Sequence, residues 1–170
     1  MRKNVLQQLY EMYGREIFQY LYVLSGDRET AGELCQETFL KALLSLSESH
    51  TNMQAWLYLV ARNLYFNAWK QNRRQMPYQE EMADILYNPA HAPDVLDEVV
   101  RREENQMLYQ ALAQLPEQKR EIIALQYFGG WRLKKIASFL GLTPENTRVL
   151  AHRARQEIRQ YMEVNGYDVP

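Results

Sequence analysis

The chain has 170 residues and a formal net charge of −1, with 20 Lys+Arg against 21 Asp+Glu. Its length suits one domain or two small ones, and so even a balance argues against a uniformly basic nucleic-acid binder. The balance is nonetheless a sum of unlike parts: residues 1–75 carry +2, residues 76–100 carry −6 with no basic group, and residues 101–170 carry +3.

Leu, Ala, Met, Glu, Gln, Lys and Arg make up 94 residues, whereas Val, Ile and Thr make up 20. The first set loses little rotamer freedom in a helix and the second is stiff at the β-carbon, so the chain reads as all-α. The first helix spans about Val5 to Leu24, with Leu6, Leu9, Tyr13, Ile17, Phe18, Leu21 and Leu24 in one apolar stripe. Gly26 suits its C-cap and Asp27 the N-cap of a second helix reaching about Leu46, whose inward residues are Ala31, Leu34, Cys35, Thr38, Phe39, Ala42 and Leu46. A polar loop follows at Ser47–Asn52. A third helix, about Gln54 to Arg74, carries Trp56, Tyr58, Tyr65, Phe66 and Trp69 and ends in Lys70-Gln71-Asn72-Arg73-Arg74. Aromatics beside a basic cluster suit stacking on unpaired bases with phosphate contacts alongside. The plainer readings are a buried aromatic stripe and favourable charge at a helix C-terminus.

Pro77, Pro89 and Pro93 together with the acidic run mark residues 76–98 as a linker, with room for a short helical turn near Met82–Leu86. A second block follows. One helix holds Val99, Val100, Leu108, Ala111, Leu112 and Leu115 and stops at Pro116. Another, opened by Pro116, holds Ile122, Ile123, Leu125 and Phe128 and stops at Gly129-Gly130. Two more, about Leu133–Leu140 and Pro144–Met162, are separated only by Gly141-Leu142-Thr143.

That last pair is a helix-turn-helix. Ala137 is small where helices cross, Gly141 can adopt the left-handed conformation, Leu142 plugs the turn, Thr143 caps the second helix and Pro144 fits its first turn. In the second helix Thr147, Leu150, Ala151, Ala154 and Ile158 face inward. Glu145, Asn146, Arg148, Val149, His152, Arg153, Arg155 and Arg159 face outward. Residues 132–159 carry +5, the footprint of an element that contacts phosphates. A simple helical hairpin with a solvated charged face is the alternative for this segment.

His50, His91 and His152 have no metal-ligand spacing, and there is neither a glycine-rich phosphate loop nor a nucleophile elbow. Catalysis, a cofactor, a metal and a small-molecule substrate are therefore not expected. Cys35 is the single cysteine, which excludes an intramolecular disulfide. The N-terminus has no apolar signal core, and no stretch reaches the roughly 20 apolar residues needed to insert across a bilayer. The expected location is cytoplasmic.

Ala31-Gly32-Glu33-Leu34-Cys35-Gln36-Glu37-Thr38-Phe39-Leu40-Lys41-Ala42 resembles the core-binding motif of bacterial sigma factors. Ala55-Trp56-Leu57-Tyr58-Leu59-Val60-Ala61-Arg62-Asn63 is similar to their promoter-melting helix. Leu115-Pro116-Glu117-Gln118-Lys119-Arg120-Glu121 and the helix-turn-helix, through His152-Arg153-Ala154-Arg155, are similar to their fourth region. The order and the short acidic linker resemble the extracytoplasmic-function (ECF) class of the sigma-70 family. The resemblance implies a region-two domain at residues 1–75, the linker at 76–98, a region-four domain at 99–163 and a tail at 164–170. It also implies a sigma factor that directs core RNA polymerase to promoters.

By position, Glu33, Leu34, Gln36, Glu37, Phe39 and Leu40 would dock on the polymerase, whose β′ and β subunits are the implied partners. Trp56, Tyr58, Arg62, Asn63, Tyr65, Lys70, Arg73 and Arg74, with the Ser47–Met53 loop, would contact the −10 element, where the loop would capture a flipped base. Arg132, Thr143, Glu145, Asn146, Arg148, Val149, His152, Arg153 and Arg155 would contact the −35 element. An anti-sigma factor is a further implied partner and could hold the protein at the inner membrane face. Gly32, Glu33, Asn67, Leu150 and Ala151 depart from the usual family residues. The alternative function is a one-component helix-turn-helix regulator whose first block senses a ligand or dimerises.

Overall fold

The computed structural model describes residues 2–45, 52–73 and 103–166. The described residues are helical with connecting turns and contain no strand. The chain divides into two units, residues 1–93 and 94–170. The linker, its helical turn near Met82–Leu86 and most of the Ser47–Asn52 loop lie outside the described residues.

In the first unit, α1 (Arg2–Ser25), α2 (Arg28–Ser45) and α3 (Met53–Arg73) all pack against one another. The turn between α1 and α2 follows from its residues. Gly26 adopts φ +70°, which costs a residue without Cβ little. The Asp27 carboxylate accepts the Thr30 N–H at 3.1 Å, satisfying a first-turn donor of α2. Asn52 does the same for α3, its Oδ1 accepting the Ala55 N–H at 3.1 Å.

The core is formed by Ile17, Tyr20, Leu21 and Leu24 of α1, Ala31, Leu34, Cys35, Thr38, Phe39 and Ala42 of α2, and Leu57, Tyr58, Ala61, Leu64 and Tyr65 of α3. Phe18, Tyr22 and Val23 are buried as well, so the C-terminal half of α1 is covered well beyond one stripe, as suits a helix that meets two neighbours. Tyr20 and Tyr58 meet edge to face at 5.1 Å. The Tyr65 hydroxyl donates to the Leu24 carbonyl at 2.9 Å, tying α3 to the last turn of α1.

The second unit holds α4 (Glu103–Gln114), α5 (Glu117–Ile123), α6 (Leu133–Leu140) and α7 (Pro144–Val164). The long α7 packs against the other three. Arg120 on α5 donates to the carbonyls of Leu112 (3.0 Å), Ala113 (3.2 Å) and Leu115 (2.9 Å), closing the C-terminal end of α4. Immediately after α5 the chain widens into one π-helical turn, Ala124–Phe128, in which the Gly129 N–H reaches back five residues to the Ala124 carbonyl at 3.0 Å. The sequence reading treated this stretch as uniform helix. Gly130 at φ +71° then ends it.

Candidate nucleic-acid and polymerase interfaces

The turn between α6 and α7 has the geometry its residues predict. Gly141 sits at φ 70°, ψ 31°, and the Leu142 N–H bonds the Ala137 carbonyl at 2.8 Å, a Schellman closure. Thr143 Oγ1 accepts the Asn146 N–H at 3.1 Å, and the Thr147 hydroxyl returns to the Thr143 carbonyl at 2.9 Å. The first turn of α7 is thereby rigid. Thr147, Ala151 and Ala154 are buried, and Leu150 and Ile158 half-buried. Glu145, Asn146, Arg148, Val149, His152 and Arg153 are exposed, and Arg155 is half-buried. Arg148, Val149, His152, Arg153, Arg155 and Gln156 border one open depression of about 580 Å³. Arg132, at the N-cap of α6, is also exposed. Trp131 is buried behind it, edge to face with Phe139 at 5.1 Å, and the Lys135 ammonium lies 3.9 Å from its ring centroid.

On α3 the predicted −10 residues separate by face. Asn63 is exposed, and Trp56 and Arg62 are half-buried, with the Arg62 guanidinium 4.7 Å from the centroid of the Phe66 ring. Tyr58 and Tyr65 correct the sequence reading. Tyr58 is fully buried and Tyr65 is 6% exposed, and both are core residues that hold α3 against α1. Aromatic spacing on α3 cannot separate the two roles, because core rings and exposed rings look alike in sequence. The Lys70 and Arg73 side chains, and Arg74 altogether, lie outside the described residues.

On α2, Glu37 and Leu40 are exposed, and Glu33 and Gln36 are half-buried. Leu34 and Phe39 are inward, as the helical spacing predicts, and this corrects the docking role that the resemblance implied for them. They are 6% and 3% exposed, with Phe39 edge to face against Tyr10 at 5.2 Å, so they belong to the core rather than to a docking surface. The outer face instead presents Glu37, Leu40 and Leu44 at successive helical steps, Leu44 being 79% exposed.

Comparison with known proteins accounts for both units. Residues 9–75 match the family described as Sigma-70 region 2, and residues 105–158 match Sigma-70, region 4. The chain is 30% identical over 166 residues to the RNA polymerase sigma factor YlaC of Bacillus subtilis, covering 94% of this chain and 93% of that protein. It belongs to the sigma-70 family. Its relatives place it in the ECF class: it is 26% identical over 165 residues to the ECF RNA polymerase sigma factor SigL of Mycobacterium tuberculosis, covering 95% of this chain and 91% of that one. The fold is also that of the sigma factor RpoE of Bartonella quintana, solved with the anti-sigma factor NepR, with a TM-score of 0.69, 21% identity, and 95% and 98% of the two chains covered. The protein is thus a sigma factor, a subunit that directs RNA polymerase to promoters and works on promoter DNA and core polymerase together.

Three features of this sigma factor escaped the sequence reading. Leu44 and Leu59 are exposed at 79% and 44%, although both are leucines in apolar helices. The Leu40–Leu44 spacing was a usable signal, but apolar residues surround α2 and hid it. Arg120 reads in sequence as one more surface cation. Cys35 was placed inward correctly, and burial pushes its thiol up to about 12, so it remains protonated and inert. Among the described residues no cluster of His, Cys, Asp or Glu is arranged to hold a metal, and no helix is long and apolar enough to cross a membrane.

Proposed function

We propose that the protein acts through three separate surfaces. The α7 helix enters the major groove of the −35 element with its N-terminal half, Glu145, Asn146, Arg148, Val149, His152 and Arg153 facing base edges and phosphates, and Arg132 contacting the backbone. The exposed and half-buried residues of α3, namely Trp56, Arg62 and Asn63, together with Lys70, Arg73 and Arg74, contact the −10 element as it opens. The outer face of α2, with Glu33, Gln36, Glu37 and Leu40, docks on the polymerase. The corresponding regions are residues 1–75 and 99–163, joined by the acidic linker at 76–98 and followed by a tail at 164–170.

The observation that carries this reading is the rigid, capped turn that places a basic outer face on α7 while Thr147, Ala151 and Ala154 anchor its back. Arginine and asparagine at the start of such a helix suit guanine and adenine edges respectively. The protein contributes binding and positioning rather than bond chemistry of its own, and it works in the cytoplasm. RpoE of Bartonella quintana was solved with an anti-sigma factor, and by analogy an anti-sigma factor holds this chain when it is idle.

The test is footprinting of reconstituted holoenzyme. Arg148→Ala and Arg153→Ala should each weaken −35 protection, and whichever contacts phosphate should lower the salt slope by about one. Unchanged −35 protection in both variants would refute the assignment. Strong promoter binding by the free chain, equal to that of holoenzyme, would favour the one-component regulator.

A further inference from the structure

The π-helical turn puts an unusual residue beside the proposed −35 face. Its wider turn keeps Ala124 and Leu125 buried, while Tyr127 stands 57% exposed. The phenol is nevertheless engaged: Arg155 Nη1, from α7, donates to the Tyr127 hydroxyl oxygen at 3.3 Å across 28 positions of sequence. Arg155 borders the same depression as Arg148, Val149, His152 and Arg153. A guanidinium has five N–H donors. The others on Arg155 have no partner among the described residues, and no carboxylate there pairs with it.

We propose that Tyr127 is a positioning residue for promoter binding, holding the Arg155 guanidinium so that the two side chains together grip one DNA backbone phosphate. This rests on the reading of α7 as the −35 element. The chemistry is complementary. The phenol oxygen accepts from Arg155, which leaves the phenol proton to donate. Free N–H groups of Arg155 and the Tyr127 O–H then present donors and one positive charge to an anionic oxygen, the charge-assisted geometry that binds phosphate well. The contact would fix the register of α7 without reading a base. Because the tyrosine comes from outside the helix-turn-helix, it also ties the π-helical turn to the DNA.

The experiment uses holoenzyme reconstituted with the full chain. The probe is a duplex promoter selected by the wild-type holoenzyme from a library randomised at −35, with a neutral methylphosphonate replacing each phosphate in turn. Tyr127→Phe, which changes neither charge nor ring, should weaken binding about threefold, in keeping with loss of one hydrogen bond. Arg155→Ala should weaken it more and lower the salt slope by about one. Both should lose sensitivity to neutralisation of the same phosphate, and the double variant should be no weaker than Arg155→Ala alone. Wild-type binding and an unchanged phosphate scan for Tyr127→Phe, with Arg148→Ala weakened, would overturn the proposal and leave the −35 reading standing. Additive losses in the double variant would also overturn it. If Arg148→Ala binds as wild type too, the −35 reading itself fails.

Discussion

The two units separate core from interface in different ways. In the second unit the division runs along α7: small and apolar residues on its inner side, arginines and polar residues on its outer side. In the first unit α2 and α3 carry leucines and aromatics on both sides. Buried Phe39 is followed at once by exposed Leu40, and buried Tyr58 by exposed Leu59. Polarity therefore marks the outer face of α7, the one proposed to meet DNA, whereas only packing separates the exposed leucines of α2 and α3 from the core. The difference suits the partners proposed for α7 and for the outer face of α2: a phosphate backbone is met by charge, and a protein surface by apolar anchors within a polar rim.

The contrast can be broken most sharply on α2. Phe39→Ala should cost about 3–5 kcal/mol of stability, the range for an aromatic removed from a core, measured by denaturant unfolding. Leu40→Asp with Leu44→Asp should leave unfolding nearly unchanged yet abolish capture of core polymerase in a pull-down. If the double aspartate variant still captures the polymerase, the outer face of α2 is not the docking surface.

A smaller effect sharpens the account of the second unit. Arg120→Met keeps much of the side chain's bulk but leaves the carbonyls of Leu112, Ala113 and Leu115 without its guanidinium. Because the arginine is partly exposed, so that water replaces some of what is lost, the expected cost is about 2 kcal/mol, read as a lower unfolding midpoint. An unchanged midpoint would mean that α4 is held by apolar contacts alone. The smallest effect concerns the turn. A Cβ added at Gly141 would meet no atom within 4 Å, so Gly141→Ala should cost only the backbone strain of φ +70°, about 1 kcal/mol. Thermal unfolding would measure it, and a much larger loss would point to a changed turn.

Much of the fold was legible because helix periodicity and punctuation are local. Gly26, Asp27, Gly141 and Thr143 act on their own neighbours, and the structure finds each in its anticipated role. Asn52 was read as loop, although its side chain starts α3. The candidate site was legible to the same local depth. The polar residues of α7 could be sorted by face, and helical spacing placed Leu34 and Phe39 inward, while Tyr58 and Tyr65 could not be sorted, because their chemistry suits a core and a binding surface equally.

What the sequence determined by itself was the helical class, the division into blocks of opposite charge behind a net charge of −1, and the turn that orients α7. These follow from rotamer freedom, backbone preference and charge, properties each residue carries with it. What only the tertiary structure decided was which apolar side chains are spent on the core, which carbonyls Arg120 serves, and that Tyr127 meets Arg155. Those depend on where separate helices cross, and burial and long-range hydrogen bonds exist only once the chain has packed.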